Sequence, residues 1–188
     1  MSEEHIIRHC APTLAGLKTG SMFTCPYTDK NELLDSLRQL NRKLSPKGLR
    51  VIPLRFSERK ALIYLYRPNR LRSDLSDSTA ARLLEANGYR WESCENCVVR
   101  LAQRLRDQQD FPHEIGLFLG YPPEDVCGFI ENDACGFKCV GCWKVYGDEA
   151  AAKKKFAQYK KCTRVYCEQW AKGKAIERLT VAERNIKN

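Results

Sequence analysis

The sequence is poor in histidine and methionine, with three and two in 188 residues, and it has no long apolar run. The longest apolar candidates, 61–66 and 115–121, fall well short of the roughly 18 residues that a membrane helix needs, so no helical span is expected. The N-terminal MSEEHIIRHC is charged and lacks a signal-peptide core. Internal repeats, low-complexity tracts and Gly/Ser linkers are missing too, which argues against solenoids and tethered modules. The expectation is a soluble, cytoplasmic protein that forms one domain over 1–188 without a linker. Chemistry that needs histidine has only His5, His9 and His113 to draw on.

What is present is a globular balance, 43% hydrophobic and 29% charged. Helices are expected at 11–19, with Pro12 in the first turn and Gly20 beyond the end, and at 31–44 from an apolar stripe. Further helices are expected at 77–87, from Ser93 to about Gln109, after Pro122-Pro123, and from Asp148 to Lys172. Strands are expected at 21–27, 115–120 and 142–146, and as a hairpin of 51–56 with 61–66. Four to six helices and four to five strands, without regular βαβ alternation, predict an α+β fold. Its sheet should be small and largely antiparallel.

The formal net charge is +9 and it is concentrated. Between Arg38 and Arg72 stand eleven Lys or Arg and a single acid, Glu58. This stripe, with Arg55, Arg59 and Arg67, can dock an acidic protein or a phosphate. In the hairpin the arginines interleave with Phe56, Tyr64 and Tyr66, a pattern that also suits stacking of RNA bases, although no nucleic-acid module accompanies it.

Ten cysteines without an export signal point to free thiols, metal ligands or redox chemistry, best tolerated in an anaerobic host. Cys10, beside Arg8 and His9 at an expected helix start, is placed for a lowered pKa and a nucleophilic or redox role. His113, at the head of an expected strand, can act as its base, with Asp125 or Asn132 orienting the imidazole. An early cysteine followed by a late histidine is similar to papain-type enzymes in order alone, since Ala-Pro-Thr follows Cys10. Cys135, Cys139 and Cys142 have C-x3-C-x2-C spacing, with Cys127 nearby, and can hold an iron–sulfur cluster. The same spacing marks radical enzymes that use S-adenosylmethionine, but this chain is too short for their barrel. Alternatively, Cys94-x-x-Cys97 and Cys139-x-x-Cys142 supply the four ligands of a zinc site.

Three blocks are distinctive: HCAPTLAGLKTGSMF at 9–23, HEIGLFLGYPPEDVCGFI at 113–130 and CVGCWKVYGDEAAAKKKFAQYKKCT at 139–163. With them the chain resembles a family of uncharacterised proteins of anaerobic, mostly clostridial, bacteria, known only as a domain of unknown function. The resemblance implies a cytoplasmic, single-domain protein of this length and no particular activity. The recurrent positions it implies are Cys10, Lys18, Arg67, His113, Glu114, Asp125, Trp143, Tyr146 and Cys162. By the same resemblance Cys94 and Cys97 are peculiar to this member, which weakens the two-knuckle zinc site. It also implies a link to flavodoxin and iron-related gene neighbourhoods.

Three functional expectations result. The first is a thiol-dependent enzyme, with Cys10 as nucleophile, His113 as base and Glu114 or Asp125 as orienting acid. Lys18 or Arg67 would hold an anionic substrate group, and Trp143 and Tyr146 would line its site. The second is a non-enzymatic accessory of iron or electron-transfer metabolism. It would dock an acidic partner such as a flavodoxin through Arg55, Arg59 and Arg67, with zinc or an iron–sulfur cluster at Cys135, Cys139 and Cys142. The third is RNA binding by the basic hairpin.

Overall fold

The structure, a computed structural model, describes residues 2–90, 93–107 and 111–183. In chain order the elements are α1 (Glu3–Leu14), β1 (Gly20–Pro26), α2 (Lys30–Leu44), β2 (Arg50–Phe56), β3 (Lys60–Tyr66), α3 (Pro68–Leu75), α4 (Ser78–Ala86) and α5 (Cys94–Asp107). They continue with α6 (Ile115–Phe118), α7 (Pro123–Glu131), β4 (Cys139–Val140), β5 (Lys144–Val145), α8 (Glu149–Ala171) and α9 (Ile176–Leu179). The fold is α+β and its sheets are antiparallel, as expected. The strands form two sheets, one of three and one of two, and the described residues hold nine helices, more than the four to six expected. The chain divides into two compact units: residues 1–69 with 161–188, and residues 70–160. Both divisions fall inside helices, α3 and α8.

The first unit is built on the sheet β1-β3-β2, with β3 central. Gly20 faces Tyr66 and Pro26 faces Lys60 on one side of β3, and Arg50 faces Tyr66 on the other. Pro53 lies on the edge strand β2 beside an irregularity in register, where a missing N–H costs little. Asn41 reaches from α2 to that strand, donating to Val51 O (2.7 Å) and accepting from Val51 N (2.9 Å). Alternation along β3 sends Ala61, Ile63 and Leu65 into the core, where they meet Leu33, Leu37, Leu40 and Leu44 of α2. Those leucines follow the helical repeat that made α2 legible, and Asp29 caps it through Asn31 N (2.6 Å).

Two expected elements are corrected. The first helix does not begin after Cys10; it begins at Glu3, capped by Ser2, and runs through Pro12. The buried residues Ile6, Ile7, Cys10 and Leu14 give it a continuous apolar face, which outweighs the one hydrogen bond that proline removes. Residues 115–120 are not a strand: Ile115–Phe118 is a single helical turn closed by Gly120 at φ 73°. A short apolar run carries no period that separates the two. The expected helix end near Gln109 lies outside the described residues.

Arg67, directly after β3, is 2% exposed and binds backbone carbonyls. Its Nε donates to Thr13 O (2.8 Å), and one terminal nitrogen donates to Leu14 O (2.9 Å) and Val181 O (2.7 Å). It thus joins the end of α1, the end of β3 and the segment after α9. Arg67 therefore does not belong to an exposed basic stripe, and its guanidinium is engaged in holding the fold. Arg67→Met leaves three carbonyls short of a donor and should lower stability by about 2–4 kcal/mol in urea titration. Arg67→Lys should recover little of it, because a single ammonium cannot reproduce the planar fork.

Candidate functional site: an aromatic cleft in the second unit

The second unit contains a cleft of about 480 Å³ between α6, α7 and the β4–β5 ribbon. Its aromatic walls are Phe111, Tyr121, Phe129 and Trp143, and the polar groups at its lining are His113, Asp125, Cys142 and Lys144.

The helix start places the key carboxylate. Pro123 opens α7, so Asp125 lies in its first turn, where the helix dipole favours an anion. Asp125 is 3% exposed. Its Oδ2 accepts from Trp143 Nε1 (2.7 Å), and its Oδ1 accepts from the backbone N–H of Tyr146 and Gly147 (2.7 Å each). One side chain thereby fixes both the indole and the ribbon's exit. Trp143 stacks on Tyr121 with centroids 4.8 Å apart and meets the edge of Phe156 at 4.5 Å. Tyr121 donates to Cys142 O (3.1 Å), and burial pushes its phenol up to about 12. Gly128 is required at its position, since a Cβ there would lie 2.5 Å from the Tyr146 ring.

The cation of the cleft is Lys144. Its ammonium donates to Ala134 O (2.7 Å) and lies 4.8 Å from the Phe137 centroid and 5.7 Å from that of Phe129. Ala134 and its neighbour Asp133 have φ of 61° and 47°, the only left-handed non-glycine residues among those described. Such backbone costs about 1–3 kcal/mol per residue and concentrates where geometry is held for a purpose. His113 is exposed, its ring 5.0 Å from that of Phe129.

The residues singled out from sequence divide sharply. His113, Asp125, Trp143 and Cys142 line the cleft; Tyr146 and Glu114 do not. Tyr146 packs on Gly128, with its hydroxyl buried and unpartnered. Glu114 is buried, accepts from Tyr89 OH (2.8 Å) and lies 2.8 Å from Arg104 Nε, out of line for a hydrogen bond and so an ion pair. Burial, then the Glu114 carboxylate, push the Tyr89 phenol strongly up. Neither carboxylate is hydrogen-bonded to His113: Asp125 orients Trp143 and the ribbon, and Asn132 donates to Gly128 O (2.8 Å).

Cys10 belongs to the first unit, in the third turn of α1 and not at its start. It is fully buried, and burial pushes its thiol up, against the smaller opposing effects of Lys18 and a hydrogen bond to Ser21. The geometry thus removes the expected reason for a lowered pKa. Cys135 and Cys142 are exposed, Cys127 and Cys139 half-buried, and Cys94 and Cys97 buried in α5. Among the described residues, no group of three or more His, Cys, Asp or Glu is placed to hold a metal, so neither expected cysteine site is assembled. Arg55 and Arg59 are exposed on the first unit's hairpin. Lys18 is half-buried in the loop after α1.

What sequence reading missed are three of the four walls, Phe111, Tyr121 and Phe129. Phe129 stands four residues after Asp125, on the same side of α7, a spacing that was available. Phe111 and Tyr121 come from irregular segments with no periodic signal.

An α+β protein with an aromatic cleft pinned by one buried carboxylate is the class that fold and site define. The chain belongs to the family described as protein of unknown function (DUF3793), whose model matches residues 6–180. This agrees with the expected membership of a domain-of-unknown-function family. No curated protein and no solved structure matches the chain significantly. Among the described residues no helix is long and apolar enough to cross a membrane.

The Asp125 tie is open to test. Asp125→Asn turns an amide N–H toward the indole N–H or toward the ribbon's two amides, and should cost about 2–3 kcal/mol in urea unfolding. The near-ultraviolet circular dichroism of Trp143 should weaken with it. Unchanged stability and signal would show that the tie is not needed.

Proposed function

We propose that this protein binds a planar, largely apolar small molecule that carries an acidic group, and that the cleft of the second unit is its site. The observation that carries the reading is the lining: four aromatic rings around a concavity whose cation is Lys144. Concave, mostly apolar sites with few polar groups are where small molecules bind, and flat rings are best recognised by stacking. Cleft-lining Phe111 is 50% exposed and Val140 is 64% exposed, so apolar surface continues from the cleft to its rim.

A suitable probe is anilinonaphthalene sulfonate, beside its uncharged relative phenylnaphthylamine. Both should quench Trp143 in a chain whose Trp91 and Trp170 are replaced by Phe. Lys144→Met should weaken the sulfonate about tenfold and leave the neutral probe unchanged. Val140→Asp, an exposed rim position, should also weaken the anion selectively. Equal binding of both probes by all variants would refute the reading.

A second reading, a thiol-dependent reaction, is favoured at this cleft by one observation: exposed Cys142 and His113 both line it. On this reading Cys142 takes the role that sequence assigned to Cys10. Iodoacetamide should then modify Cys142 faster than the other thiols, and His113→Ala should slow that reaction. A rate indifferent to His113 would remove the reading.

Docking of an acidic protein such as a flavodoxin is supported by the exposure of Arg55 and Arg59 alone. The ten cysteines suit a reducing cytoplasm.

A further inference from the structure

In the first unit two of the three histidines stand together. We infer that His5 and His9 form a chelating site for a late first-row divalent cation. They are four residues apart on α1, which sets both imidazoles on one side of the helix, toward β1. Their ring centroids are 4.5 Å apart at 55°. One buried residue of β1 orients both: Phe23 stacks on His9 (5.6 Å, 10°) and meets His5 edge-on (5.2 Å, 65°). The rings are thus held before any cation arrives, which lowers the ordering cost of binding.

A second observation concerns the tautomer. His5 Nε2 lies 3.2 Å from the Thr24 carbonyl oxygen. A carbonyl only accepts, so Nε2 carries the proton, and in the neutral ring Nδ1 keeps its lone pair. A histidine that donates one ring N–H to a backbone carbonyl while offering the other nitrogen is the usual arrangement around metal-bound imidazole. His9 is exposed on the same surface. The nearest cation in sequence, Arg8, is paired with Glu4 at 2.7 Å, which offsets its repulsion.

Two imidazoles leave the remaining coordination positions to water, so the site is open and of moderate affinity. Nitrogen ligands of this kind select Ni2+, Cu2+ or Zn2+ over Mg2+ and Ca2+. A cation held there would clasp successive turns of α1 and stabilise the first unit by mass action.

The test uses the full chain and Ni2+, followed by titration calorimetry and by the thermal midpoint. One Ni2+ per chain should bind, and the midpoint should rise with its concentration. His5→Gln and His9→Gln, both at accessible positions, should each weaken binding by at least about tenfold and abolish the rise. Mg2+ should give neither effect. If both variants bind Ni2+ like the parent, or if a thiolate-to-nickel absorption band accompanies binding, the cation sits on cysteine and the inference fails.

Discussion

Asp125 ties the first turn of α7 to the ribbon through three hydrogen bonds, and the shape of the cleft follows from that tie. The ribbon itself is slight, two residues in each strand, too short to be stable alone. Its place is set by a buried carboxylate that binds the indole at one oxygen and two backbone amides at the other. Charge-assisted hydrogen bonds are roughly twice as strong as neutral ones, and here they converge where the helix dipole already favours an anion. With Trp143 fixed, Tyr121 and Phe156 have a surface to pack on, and Lys144, the next residue of the chain, is carried to the cleft with it.

The first unit uses the opposite charge for a comparable end. Arg67 gathers three carbonyls from two separate segments, as Asp125 gathers three donors from the ribbon and its exit. Both residues were singled out by family resemblance as site residues, and both are bound up in the backbone. A buried ion that serves the main chain constrains substitution as strongly as one that meets a substrate, because its loss strands several partners at once. The two are told apart by what lies beside them: an apolar cleft beside Asp125, and the ends of α1, β3 and the last segment around Arg67.

Much of the architecture was legible because it follows from period and punctuation. Leu33, Leu37, Leu40 and Leu44 mark α2, the polar 57–60 marks the hairpin turn, and Asp77, Ser93 and Asp148 each cap a following helix. Pro12 misled, since the rule for proline at helix starts is local and the apolar face of α1 is not. Cys10 was misjudged for the same reason: moving the helix start back to Glu3 turns a terminal thiol into a core residue. Of the cleft, His113, Asp125 and Trp143 were legible through the blocks they occupy. The role of Asp125 was not, because its partners lie 18 to 22 residues away and no local pattern encodes such a pairing.

The division of the chain bears on its order of assembly. The second unit is one uninterrupted stretch, 70–160, whereas the first needs both 1–69 and 161–188. Ile176 and Leu179 of α9 are part of the first unit's core, and Val181 supplies one of the carbonyls that Arg67 binds. During synthesis, then, residues 1–69 cannot close their core until residues 176–181 have left the ribosome, by which time all of 70–160 has emerged. The sheet and its apolar face must wait exposed through that interval. The nascent chain is most vulnerable to aggregation just before α9 emerges, when the first unit's core still lacks Ile176 and Leu179.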